Sequence, residues 1–231
     1  MPAVESVRIK TDGATLAVRH FPGSGDPIVL LHGGPGMGDY FGSLPEVLSP
    51  PYSVVSYNQR GCGPSSCDGS FDVDKQVDDL DAIRRHFAAD RIHLFGHSWG
   101  GLLGQLYAKT HPERVASLVL CCSMANTGRK VAAMESKAHH GSKVAWRATS
   151  RSIKALQDDY LDRLSITAPV LIVQGEHDVI RETNALLAAR FPAATNVRIE
   201  NSGHFPWVEE PAVFSRTVLD FYSRIASAAS A

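Results

Sequence analysis

The chain has 231 residues, 44% hydrophobic and 20% charged, with 23 Lys+Arg against 24 Asp+Glu. That length suits one core of roughly 70–75% buried surface, and the composition excludes disordered and fibrous classes. A net charge of −1 argues against a general nucleic-acid binder.

The first ten residues already carry Glu5, Arg8 and Lys10. No secretory leader is expected there, and a cytoplasmic location follows as the expectation. No apolar run approaches the roughly 18 residues of a membrane span. The four cysteines, Cys62, Cys67, Cys121 and Cys122, are expected as structural thiols. Cys62 and Cys67 have no matching His or Cys pair, so no metal is expected.

Glu5–Lys10 and Ala14–Phe21, joined by Asp12-Gly13, read as an antiparallel hairpin at a sheet edge. Pro27–Leu31 is a buried strand closing on glycines, and Tyr52–Tyr57 is another. Val73, Val77, Leu80, Ile83 and Phe87 share one face of a helix. Arg91–Phe95 is a strand, Trp99–Thr110 a helix ended before His111-Pro112, and Val115–Cys121 a strand. A connecting helix is expected around Ile153–Leu164. Strand Pro169–Gln174, helix Glu182–Arg190, strand Asn196–Glu200 and helix Pro211–Ile225 complete the chain. Strands alternating with helices imply an α/β fold, its mostly parallel central sheet covered by helices on both faces.

Gly96-His97-Ser98-Trp99-Gly100 stands between a strand and a helix, the context in which G-x-S-x-G exposes a nucleophilic serine. Side chains at 96 or 100 would collide with neighbouring backbone. His32-Gly33-Gly34-Pro35-Gly36 follows the strand Pro27–Leu31, and its glycines leave backbone N–H groups free to face the site. Gly34 and Trp99 are the expected oxyanion donors. No phosphate-binding loop and no dinucleotide fingerprint is present, so no cofactor is expected. His32 is expected to be a packed structural histidine.

Asp178 follows the strand Pro169–Gln174, and His204 follows the strand ending at Glu200. The order Ser98, Asp178, His204 is that of a hydrolase triad, with His204 as base and Asp178 orienting it. Glu176 is the rival acid and His177 the rival base. Gly33, Pro35, Trp146 and Trp207 are candidate substrate contacts.

With those residues placed, the chain resembles the proline iminopeptidase (prolyl aminopeptidase) family of α/β-hydrolases. The matching pieces are His32–Gly36, Asn58–Gly63, Gly96–Gly101, His111–Val115, Gly175–Asp178 and Gly203–Trp207. The resemblance implies a cofactor-free serine hydrolase of the α/β-hydrolase fold with a small helical cap. The core is expected at 1–122 and 165–231, the cap around 123–164. That family usually has Asp where Asn58 stands and Arg or Lys where Pro64 stands. It also inserts a large helical cap whose acidic residues hold the substrate's amine. Here Cys122–Ala168 is only 47 residues. Seven bases (Arg129, Lys130, Lys137, Lys143, Arg147, Arg151, Lys154) and one acid, Glu135, fall between 129 and 154.

A solvated basic face is the plain reading of that stretch. If Arg129, Lys130, Lys143 or Arg147 faces the pocket, an anionic acyl or leaving group would be favoured. A small-molecule ester, or an amide, is the expected substrate. The alternatives are a prolyl aminopeptidase acting on short peptides and a perhydrolase or haloperoxidase. A non-catalytic binding protein is disfavoured because no triad member is missing. Epoxide hydrolase and dehalogenase chemistry would need Asp at Ser98. Monomer and homodimer are left open.

Overall fold

In the computed structural model, residues 3–49, 51–125, 141–162 and 164–229 are described. Nine strands form one sheet: β1 (Glu5–Thr11), β2 (Ala14–Phe21), β3 (Ile28–Leu31), β4 (Val54–Tyr57), the short β5 (Ser66–Cys67), β6 (Ile92–His97), β7 (Val115–Cys121), β8 (Val170–Gly175) and β9 (Thr195–Ile199). The order is β1-β2-β4-β3-β6-β7-β8-β9, with β5 paired to β2. β1 and β2 form the expected edge hairpin, and every pairing from β4 to β9 is parallel.

The strands are apolar on both faces because helices cover both. Val29 and Leu31 face one core cluster, while Ile28 and Leu30 face the other. Leu94 and Phe95, Leu118 and Val119, and Ile172 and Val173 divide in the same way. This is the period-2 alternation of a sheet buried on both sides. Helices α2 (Val73–His86), α3 (Trp99–Thr110) and α5 (Thr183–Arg190) contribute to the first cluster. Helices α1 (Leu44–Leu48) and α7 (Pro211–Ala229) contribute to the second. Among the described residues, no helix is long and apolar enough to cross a membrane. The four cysteines are free thiols.

The helix between β7 and β8 lies earlier than its expected place. Helix α4 runs Lys143–Ala155, capped by Ser142, whose side chain accepts from Ala145 N. Ala145, Thr149 and Ile153 form its buried stripe, four residues apart. Leu156 is extended and ends it. Leu161 and Leu164 are buried in turns, which is why an apolar count alone extended the helix. Gln76 Nε2 donates to Thr149 Oγ1 over 2.9 Å, and Val73 N donates to Ser152 Oγ over 3.1 Å, tying α4 to α2. Lys143, Arg147, Arg151 and Lys154 are exposed on α4. Arg129, Lys130, Glu135 and Lys137 lie outside the described residues.

Candidate active site

The residues singled out in the sequence gather at the carboxyl ends of the parallel strands, the edge where open α/β sheets place their ligands. β6 ends at His97 and α3 starts at Trp99, so Ser98 alone makes the turn. Its backbone is at φ 54°, ψ −119°, a conformation that L-residues avoid. Four main-chain hydrogen bonds hold it there: Ser98 N to Cys121 O, and Gly101 N and Met124 N to Ser98 O, each 3.1 Å, with Leu102 N to Ser98 O at 3.4 Å. A Cβ at Gly100 would lie 1.9 Å from Leu31 O, so helix and strand approach this closely only with glycine.

Asp178 follows β8 and is fully buried. Its Oδ1 lies 2.7 Å from His204 Nδ1, and its Oδ2 accepts from Gln174 Nε2. Ile180 N donates to Oδ1 over 3.2 Å. The loops carrying acid and base touch, since a Cβ at Gly175 would lie 1.9 Å from Gly203 O.

Burial pushes the Asp178 carboxyl up, but the hydrogen bond and charge of His204 more than offset it, leaving it below the usual carboxylate range. For His204, burial acts downward. The hydrogen bond to Asp178 and the neighbouring Cys122 sulfur outweigh it and raise the imidazole from 6.5 to about 9. The rivals stand elsewhere. Glu176 pairs with Arg198 and accepts from Asn201 N, and His177 is exposed.

The loop His32–Gly36 borders the nucleophile, for a Cβ at Gly33 would fall 2.8 Å from Ser98 Cβ. The Gly33 N–H is committed to Tyr40 Oη at 2.6 Å. His32 is fully buried with both ring nitrogens engaged, Nδ1 on Gly33 O and Nε2 accepting from Gln59 N. Burial holds it near 4, hence neutral. Gln59 also accepts from the Trp99 indole, which links the loop to the turn at Ser98. Pro35 is buried. Trp146 sits at the start of α4, which docks on this loop through Ser142 N to Gly36 O at 2.7 Å. Trp207 lies in the core, packed against Tyr40, Phe41, His97, Phe205 and Phe214.

No described residue accepts a hydrogen bond from Ser98 Oγ. Such contacts are commonly long in resting sites and tighten with substrate.

Sequence reasoning missed three participants. Gln174 holds the far oxygen of Asp178. Tyr40 reaches both Gly33 and His97. Cys122, in a left-handed conformation at φ 44°, puts its sulfur within 4.8 Å of the Asp178 and His204 donor atoms. None belongs to a motif; only Gln174 gave any signal, four residues before the acid. Among the described residues, Cys122, Asp178 and His204 are the group that chemistry would allow around a metal. A metal would have to break the hydrogen bond by which Asp178 and His204 already satisfy each other.

Comparison with known proteins bears on the family and the fold. The alpha/beta hydrolase fold family matches residues 26–163, more than half of the chain. Proline iminopeptidase of Lactobacillus helveticus is 38% identical over 107 residues, 43% of this chain and 36% of that protein. Proline iminopeptidase of Clostridioides difficile is 37% identical over 105 residues, with 43% and 36% covered. The matched stretch thus spans about a third of these relatives' length. Among solved structures, a thermophilic esterase from Thermogutta terrifontis superposes with a TM-score of 0.78 at 23% identity, covering 96% of this chain and 99% of that one. The enol-lactonase of Burkholderia xenovorans LB400 gives a TM-score of 0.80 at 21% identity, covering 94% and 100%. Fold, strand-end site and family match converge: this chain belongs to the alpha/beta hydrolase fold family.

Proposed function

We propose that the protein is a serine hydrolase that cleaves small carboxylic esters through an acyl-enzyme. The observation that carries this reading is the His204–Asp178 pair at 2.7 Å, at the same strand ends as a serine held in a left-handed turn, with His204 O 2.8 Å from Nε2 of the residue before that serine. Ser98 Oγ attacks the acyl carbon while His204 Nε2 takes its proton. Asp178 keeps the other nitrogen protonated and stabilises the imidazolium. The N–H groups of Gly34 and Trp99 receive the oxyanion, each contributing about 3–4 kcal/mol to the transition state. The C–O bond breaks, and His204 returns the proton to the leaving alkoxide. Water, deprotonated by His204, then attacks the ester on Ser98; the bond from the acyl carbon to Ser98 Oγ breaks, His204 returns the proton to Oγ, and the acid is released.

An aminopeptidase is the second reading, favoured by the proline iminopeptidase relatives. The exposed cations of α4 disfavour a substrate carrying a free amine, since like charges repel. A paired assay separates the two. Turnover of an aryl acetate and none of a proline arylamide is expected; the opposite order assigns the site to the peptidase.

The pH dependence has a defined sign. Neutral imidazole is the base, so His204 loses function as pH falls through its pKa. Because that pKa is raised, kcat/KM is expected to climb through neutrality, its acid limb centred above 6.5 and at most near 9. A rate flat down to about pH 5 contradicts His204 as base.

A further inference from the structure

Four groups lie in one partly buried line between the oxyanion loop and the base. Gly33 N–H donates to Tyr40 Oη over 2.6 Å. Tyr40 Oη lies 2.5 Å from His97 Nδ1, and His97 Nε2 lies 2.8 Å from the carbonyl oxygen of His204. With a neutral imidazole between them, the two ends fix every proton. A backbone N–H only donates and a carbonyl only accepts. His97 therefore carries its proton on Nε2, and the Tyr40 hydroxyl donates to Nδ1.

Both side chains stay neutral, as the line requires. Burial, with the charge of His204, holds the His97 imidazole down to about 3, and burial pushes the Tyr40 phenol up. Trp207 braces the pair from one side. Its ring is nearly parallel to Tyr40 at 6.3 Å and edge-on to His97 at 4.7 Å. A fully satisfied, partly buried line of this kind holds one arrangement, and breaking one bond leaves its neighbours unpaired.

The line joins two parts that the reaction needs in register. One end is the peptide next to Gly34, the expected oxyanion donor. The other is the main chain of His204. We propose that Tyr40 and His97 are positioning residues that set the distance and orientation between the oxyanion loop and the general base; this rests on the serine-hydrolase reading of the site. Neither supplies a reacting atom: Tyr40 acts through the backbone it holds, and His97 through that backbone and through its ring, which packs against the His204 ring with centroids 4.6 Å apart.

Three variants test it. Tyr40→Phe removes one hydroxyl and keeps the ring. His97→Leu removes both polar atoms. His97→Gln keeps one donor and one acceptor on a side chain of similar reach. Each is assayed on an aryl acetate for kcat and KM, for thermal midpoint, and by ¹⁵N NMR of the histidine rings. Tyr40→Phe and His97→Leu are expected to lower kcat about tenfold to a hundredfold, the scale of small misplacements in an active site, with little change in KM. His97→Gln is expected to recover most of that loss. The wild-type His97 ring is expected to show the Nε2–H tautomer from about pH 5 to 9.

A folded Tyr40→Phe and a folded His97→Leu with wild-type kcat overturn the proposal, as does a His97 ring protonated on Nδ1. Should the wild type hydrolyse no ester, the serine-hydrolase reading falls. The His204 ring signals then decide on positioning alone: moved in Tyr40→Phe they support it, and identical to wild type they overturn it.

Discussion

Ser98→Ala is expected to lower kcat/KM on an aryl ester by about 10⁴-fold or more, with the fold intact. The size follows from what the hydroxyl does. Without Oγ no acyl-enzyme forms, and His204 has no nucleophile to deprotonate. What survives is binding and oxyanion stabilisation, which accelerate attack by water only modestly. The fold is spared because the turn is held by the backbone of Ser98 and not by its side chain. Alanine must still adopt φ near 54°, so no strain is relieved. A thermal midpoint close to wild type, with turnover lost, is the expected pair of results. Hydrolysis at the wild-type rate removes Ser98 from the mechanism.

A second large effect concerns stability. Asp79→Ala is expected to cost about 3–5 kcal/mol, the penalty for leaving a buried charge without its partner. Arg60 and Asp79 are 0% and 2% exposed, and the guanidinium grips both carboxylate oxygens at 2.8 Å. Arg60 also donates to the carbonyls of Ser70, Asp12 and Lys75, so one cation ties the segment after β4 to α2 and to the edge hairpin. At about 2–4 °C per kcal/mol for a chain of this size, the melting temperature should fall by about ten degrees. A change within about two degrees would show that the pair contributes little and that water reaches Arg60.

How much of this could be read from residues alone varied with the kind of interaction. Ser98, Asp178 and His204 each follow the end of a strand within a few residues, so strand order brings them to one edge. Gly100 was legible for a related reason, because a glycine beside a strand end marks close backbone approach. Arg60 stood in a recognisable run, but its partner did not. Gln76, Asp79 and Asp81 are buried in α2, where a polar residue in a helical period reads as solvent-facing. Tyr40 was silent, since it sits in an irregular loop, with one partner, Gly33, earlier in that loop and the other, His97, 57 residues away. Helix α4 was displaced in the reading because Leu161 and Leu164 are apolar and buried but lie in turns. The short α1 and α6 (Pro206–Glu209) each carry a proline in their first two residues and are too brief to carry a period. Local pattern reveals what a strand delivers. Pairings across tens of residues need the fold.

The most direct measurement is to trap the covalent intermediate. The protein is mixed with a fluorophosphonate, an irreversible mimic of the acyl donor, and digested for mass spectrometry. One adduct per chain, carried by the peptide containing Ser98 and absent from Ser98→Ala, is the predicted result. An adduct on any other residue, or none while ester turnover continues, would contradict the assignment of Ser98 as nucleophile.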